Sequence, residues 1–220
     1  MNYRTKTIRK EATHMKSTNR IAALFLGFVT ALATAGPAMA QTATALPRVR
    51  VLATGGTIAG AQASSTDYGY KSGAYDVNTL INAVPNLGKL AQISGEQVAS
   101  IGSQDMNDEV WLKLAKRLNA VLASADTDAV LITHGTDTLE ETSYFLSLVT
   151  RSDKPVVMVG SMRPATATSA DGPANIYNGV AVAVSPGAKG RGTVVALNDE
   201  FHYARNVVKT DTTSVQTFRS

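Results

Sequence analysis

Residues 129–133 read AVLIT, an uncharged run with no polar alternation, and lead straight into His134, Gly135, Thr136, Asp137 and Thr138. A strand of that composition offers no face to water, so it belongs inside a sheet covered on both sides. The pattern recurs along the chain. Residues 48–53 predict a first strand that ends in TGGT (54–57), and residues 97–101 a second that ends in GSQD (102–105). Residues 155–160 and 193–198 predict two more. Between them, residues 108–123 form an amphipathic helix with Trp111, Leu114, Leu118, Val121 and Leu122 on one face and Asn107 as its N-cap. Helices are also predicted over 77–90, with a break near Pro85, after HGTDT with Leu139, Phe145, Leu146 and Val149 inward, and over 174–184. Residues 201–220 read as an irregular or hairpin segment. Strands alternating with helices give an α/β fold, a parallel sheet flanked by helices on both faces. Such sheets bind ligands at the carboxyl ends of strands near a switch point, so the three polar turns are expected to share one rim.

The bulk properties narrow the function. A chain of 220 residues suits one domain with or without an appendage, and 44% hydrophobic with 17% charged residues is the composition of a protein with a sizeable core. The net charge of +4 invites a nucleic-acid partner, but the excess is local. Residues 1–40 hold six basic side chains (Arg4, Lys6, Arg9, Lys10, Lys16, Arg20) and one acid, Glu11. Taking these from the totals of 21 and 17 leaves 15 basic against 16 acidic residues, so nucleic acid is rejected as a partner. Residues 1–40 themselves read as a secretory signal: a basic start, an apolar stretch at 21–34, and Ala38-Met39-Ala40 before Gln41. Met15 begins a tidier version of the same leader. The expectation is therefore a periplasmic protein with no membrane association after cleavage, a linker at 41–46 and a folded domain at 47–220. With no cysteine, neither disulfide nor thiol chemistry is available.

Chemistry points to hydroxyl groups. Thr57 follows two glycines that permit close backbone approach, and a threonine hydroxyl becomes a nucleophile only where a neighbour takes its proton. Read alone, TGGT is equally a tight turn or a phosphate cradle. Thr136 and Asp137 precede a helix, where backbone N–H groups could stabilise an oxyanion and Asp137 could receive an ammonium; N-cap duty is the plainer reading of either. Ser103 and Gln104 offer a hydroxyl and an amide suited to an amino acid's carboxylate and amine. Lys209 could lower the pKa of a threonine or water, although a lone lysine is ordinarily solvated. Tyr70, with Tyr68 nearby, sits in a Gly/Ser/Asp-rich stretch long enough to be a lid. Beyond the leader only His134 and His202 remain, so His134 reads as structural and no histidine metal centre is expected.

These motifs carry a resemblance. ATGGTIAG and ITHGTDTLEET, supported by GEQVASIGSQDMND, KPVVMVGSMRP and SADGPANIYN, resemble the bacterial type II L-asparaginases and related glutaminase-asparaginases over nearly all of residues 47–220. The resemblance implies hydrolysis of L-asparagine to L-aspartate and ammonia, variable activity on L-glutamine, no cofactor and no metal. It implies Thr57 as nucleophile with Tyr70 as its lid-borne partner, and Thr136, Asp137 and Lys209 as a second catalytic group. Ser103, Gln104, Thr136 and Asp137 would hold the substrate. How the two threonine groups divide the work stays open, and Gln104 leans toward asparagine.

Asn206 stands where relatives usually carry aspartate, and the cysteine pair of some exported relatives is absent. The family also has a smaller C-terminal domain that supplies residues to a neighbouring subunit's site. The chain stops about where the interdomain connection is expected, as a truncated member of a homotetrameric family would. Among rival readings, a dinucleotide oxidoreductase fails because TGG followed by Gly60 does not give GxGxxG. A serine hydrolase lacks its GxSxG elbow. A non-catalytic periplasmic amino-acid-binding module, or an inactive truncated asparaginase, remains as the alternative; a binding module would not need Thr57 or Lys209.

Overall fold

The computed structural model describes residues 45–220; the leader and most of the linker read from the sequence lie outside the described residues. β1 (Arg48–Gly55) leads through a helical turn at Thr57–Ala59 into a small hairpin of β2 (Ala61–Gln62) and β3 (Tyr70–Lys71), then α1 (Val77–Asn82). β4 (Gln92–Ile101), α2 (Asp108–Ala123), β5 (Ala129–Thr133), α3 (Leu139–Val149), β6 (Val156–Val159) and α4 (Gly172–Ala183) follow. β7 (Thr193–Leu197) and β8 (Glu200–Tyr203) finish the main sheet, and β9 (Val208–Lys209) pairs antiparallel with β10 (Phe218–Arg219). The sheet order is β4-β1-β5-β6-β7-β8, parallel throughout except for β8 at the edge.

β5 lies inside this sheet with all five residues buried, as its composition requires. Strand side chains alternate between faces, and the core divides accordingly. Ala129 and Leu131 join Val157, Val159 and Val194 beneath α1 and α4. Val130 and Ile132 join Leu52 and Met158 beneath α2 and α3. Each fully buried leucine or isoleucine here contributes about 1.5–3 kcal/mol relative to exposure. Helix α2 matches its predicted bounds: Val110 N–H donates to the Asn107 side chain at 3.1 Å, and Asp108 and Glu109 occupy its positive end. Trp111 is only half-buried. Its indole donates to Thr142 Oγ1 at 2.8 Å, and its ring packs on Phe145.

Two elements differ from expectation. The helix predicted over 77–90 ends at Asn82, because Pro85 cannot continue it and Asn86 turns left-handed at φ 63°. Only a short helical turn, Leu87–Lys89, follows. β4 starts five residues earlier than predicted. It is an edge strand whose first half, Gln92–Glu96, is mostly polar, with Ile93 its one large apolar residue and that packed against the core, too little alternation to announce a strand. It pairs in register with β1 from Arg48 opposite Gln92. The 201–220 segment resolves into the antiparallel edge strand β8 and the β9–β10 pair.

One connection has unusual handedness. From β4 to β5 to β6 the chain steps across the sheet with α2 and α3 on one face, whereas from β6 to β7 it takes the same step with α4 on the other. Crossovers of this kind are right-handed in nearly every case, so β6–α4–β7 is the exception. Its packing explains it: α1 is too short to cover β5, β6 and β7, and Ile176, Val180 and Ala183 of α4 close that face. To reach it, residues 160–171 cross the rim of the sheet and meet the turn that follows β1.

Candidate active site

The topology brings three strand ends together. β1 is flanked by β4 on one side and β5 on the other, so the chain reverses its course across the sheet there. The turns after β1, β4 and β5 share the rim above this switch point. They meet through glycine. Gly56 has φ 81°, and a Cβ on it would stand 2.3 Å from Gly135 Cα; a Cβ on Gly135 would stand 2.5 Å from Ser103 Oγ. Any side chain at either position would wedge the turns apart.

Thr57 begins the turn after β1 and is 8% exposed. Its Oγ1 lies 2.7 Å from the Tyr70 hydroxyl. The tyrosine ring lies over Gly60, where a Cβ would approach its Cδ2 to 2.7 Å. The hairpin that carries Tyr70 is tied down by main-chain bonds, from Gly73 N–H to the Gly56 carbonyl (3.1 Å) and from Ala165 N–H to the Gly60 carbonyl (3.0 Å). Gln62 N–H adds a bond to Thr166 Oγ1 at 2.9 Å. The rim-crossing segment after β6 therefore clamps the base of the hairpin.

The second cluster forms after β5. Lys209 Nζ, arriving from β9, donates to Thr136 Oγ1 at 2.9 Å and to Asp137 Oδ1 at 2.7 Å. Thr136 is buried, while the Asp137 side chain is 57% exposed. Ser103 Oγ accepts the Asp137 N–H at 3.0 Å, and the Ser103 carbonyl accepts from Thr138 Oγ1 at 2.9 Å. Helix α3 starts after Thr138, which makes no side-chain cap, so neither Thr136 nor Asp137 is spent on capping. Two rim N–H groups are already committed: that of Asp137, in the turn expected to stabilise an oxyanion, to Ser103, and that of Gly56, in the turn that also reads as a phosphate cradle, to the Ile101 carbonyl at 2.8 Å. Gln104 stands apart. It is exposed, its amide turns back over Gly102, and its one hydrogen bond goes to Asp105 at 3.4 Å. Asn206 is exposed, and its N–H bonds the Tyr203 carbonyl at 2.9 Å.

His134 lies wholly buried beneath this rim, with Nδ1 2.7 Å from the Gly135 carbonyl. Burial pushes the imidazole down to about 4, which keeps it neutral. That neutral ring supports the turn from below, in line with its structural reading. Among the described residues, no group of three or more His, Asp or Glu side chains is placed to hold a metal ion.

Three residues, Glu140, Asp171 and Asn175, escaped the sequence reading. Glu140, in the first turn of α3, accepts the main-chain N–H of Lys209, which is 69 positions away. No local pattern announces such a contact. Asp171 accepts the N–H groups of Met162 (3.0 Å) and Arg163 (2.9 Å), and the amide of Asn175 bonds the Gly160 carbonyl at 2.9 Å. Together these fix the rim-crossing turn; SADGPANIYN was the available signal. A cleft of about 320 Å³ opens beside the second cluster, lined by Asp137, Glu140, Lys209, Thr210, Asp211 and Thr212. A larger apolar groove of about 590 Å³, lined in part by Val182, Val194, Phe201 and Tyr203, includes none of the site residues.

A threonine beside a phenol, and a second threonine beside an ammonium, equip one rim of an α/β sheet for nucleophilic chemistry by hydroxyl groups. Residues 48–220 match the family described as "Asparaginase, N-terminal", and the chain belongs to the asparaginase family. It is 58% identical over 176 residues to an L-asparaginase 2 of Bacillus subtilis (strain 168), an alignment covering 80% of this chain and 47% of that protein. It is 59% identical over 175 residues to a probable periplasmic L-asparaginase of Haemophilus influenzae, covering 80% and 50%. A solved structure described as a probable cytoplasmic L-asparaginase from Campylobacter jejuni superposes with a TM-score of 0.76 at 54% identity, covering 78% of this chain and 53% of that one. Proteins named glutaminase-asparaginase are among the relatives as well. The chain spans about half the length of the curated relatives it matches.

The expectation of a periplasmic protein does not stand. The relatives divide between a protein named periplasmic and a structure described as cytoplasmic, so family membership fixes no compartment. The leader reading falls on residues outside the described ones, and a chain without cysteine keeps no structural record of an oxidising compartment.

Proposed function

We propose that this chain carries the threonine centre of an amidohydrolase that converts L-asparagine to L-aspartate and ammonia, with L-glutamine as a second substrate. The observation that carries this reading is the pairing of two hydroxyls on touching turns, Thr57 with Tyr70 and Thr136 with Lys209. A module that only bound an amino acid would need neither pair.

Thr57 Oγ attacks the side-chain amide carbon, and its proton passes to Tyr70, which returns a proton to the departing nitrogen. The carbon–nitrogen bond breaks, ammonia leaves, and an ester joins the aspartyl group to Thr57. Water polarised at the Thr136–Lys209 pair then attacks that ester, freeing aspartate and restoring the threonine. Asp137 receives the substrate ammonium, and Ser103 and Gln104 receive its carboxylate once the Gln104 amide swings away from Asp105. Glutamine is one methylene longer, a difference worth only about 1–3 kcal/mol of discrimination. Assembly into a homotetramer belongs to the same proposal, as does the division into a folded domain at 47–220 behind a linker.

Ammonia release from L-asparagine and L-glutamine by the full chain, beside Thr57→Ala, tests this. Release that depends on Thr57 supports the hydrolase; equal release from both proteins, or none from folded wild-type chain, contradicts it.

A further inference from the structure

Lys209 reaches Thr136 and Asp137 from β9, a strand of only two residues, so something must fix where its backbone stands. The β9–β10 ladder does part of this. Thr210 N–H bonds the Thr217 carbonyl at 2.9 Å, and Lys209 stands opposite Phe218. Residues alternate along an antiparallel pair between those whose N–H faces the partner strand and those whose N–H faces away. With Thr210 facing β10, Lys209 presents its N–H outward, where the ladder holds no acceptor for it. The acceptor is Glu140 Oε2, on the first turn of α3 and one turn beyond Thr136 and Asp137 in the chain. Lys209 is thus held at both ends by one stretch of sequence: its ammonium by residues 136–137 and its backbone by residue 140. A carboxylate in an N–H bond is stronger than a neutral acceptor, and its place at the positive end of α3 reinforces it.

We propose that Glu140 is a positioning residue for the proposed hydrolysis: by holding the Lys209 main chain against α3 it sets the Lys209 ammonium on Thr136. The proposal rests on the hydrolase reading above only for its kinetic consequence; the tether itself is separable. Three full-length variants test both. Glu140→Gln keeps a carbonyl acceptor at the same reach, Glu140→Ala removes it, and Glu141→Ala alters the neighbouring acid as a control.

Hydrogen exchange at the Lys209 amide is read first. It is expected to quicken by about 10-fold or more in Glu140→Ala and to stay within about 3-fold of wild type in the other two. In turnover of L-asparagine, Glu140→Ala is expected to lower kcat by about 10-fold with KM within about 3-fold, and Glu140→Gln to restore most of it. An unchanged Lys209 amide in folded Glu140→Ala overturns the tether. A KM rise without loss of kcat, or no rescue by Gln, overturns the positioning role. Absence of turnover in wild type overturns the hydrolase reading instead, and the exchange comparison still decides the tether.

Discussion

Both partners of the two threonines arrive on hairpins with two-residue strands, yet the hairpins rest on different ground. The β9–β10 pair is part of the core: Phe218, Val207 and Thr217 are buried, and Phe218 and Val207 join the cluster beneath α2 and α3. The β2–β3 pair has nothing comparable. Residues 63–71 are exposed throughout, Tyr70 included at 42%, and the hairpin holds on through a few hydrogen bonds at its base. Local opening costs little where few apolar contacts must break. The Lys209–Thr136 pair is therefore a fixed feature of the folded rim. The Tyr70–Thr57 pair depends on a hairpin with little to hold it down, and in the proposed hydrolase that hairpin is the part expected to open for substrate.

The sharpest contrast is in stability. Phe218→Ala is expected to cost about 3–5 kcal/mol in urea unfolding, because it empties a core position and loosens Lys209 with it. Tyr70→Ala is expected to stay within about 1 kcal/mol. Equal losses would mean that the hairpins are alike. Next in size, Lys209→Met should lower kcat for ammonia release by about 10²–10³-fold without unfolding the chain. A decrease in affinity alone would make Lys209 a binding group.

The imidazole buried in the turn after β5 gives a pH test. His134 is depressed to about 4 in the folded chain from 6.5. Its contribution is full above pH 6.5 and fades as pH falls toward 4, where the unfolded chain takes up a proton that the folded chain refuses. That difference amounts to roughly 3 kcal/mol, and a folded His134→Gln variant should flatten the unfolding free energy across this window. A slope unchanged by the substitution would show that His134 is not its source. The smallest effect belongs to Tyr70→Phe, which keeps the ring on Gly60 and loses the hydroxyl: about 10-fold in kcat at unchanged stability. Full activity would remove the phenol from the chemistry.

The repeating parts of this fold were legible. The AVLIT run allowed only a covered strand, and α2 announced its start through Asn107 and its face through leucine spacing. Glycines placed after strands pointed to close turns, and Gly56 and Gly135 occupy the contact between them. The rest depended on distance along the chain. No local pattern brings Glu140 to Lys209, or puts α4 on the face that α1 leaves bare. The polar half of β4 looked like loop because its register comes from β1 and not from its own side chains. Gln104 had the right chemistry, but its amide bonds its own turn.

The most direct measurement is to quench the full chain in acid during turnover of L-asparagine and map any aspartyl adduct by peptide mass spectrometry, in wild type and in Lys209→Met. The adduct is expected on the peptide holding Thr57, and it should accumulate when Lys209 is lost because the water step slows. An adduct on Thr136, or turnover with no adduct in either protein, would contradict Thr57 as the nucleophile.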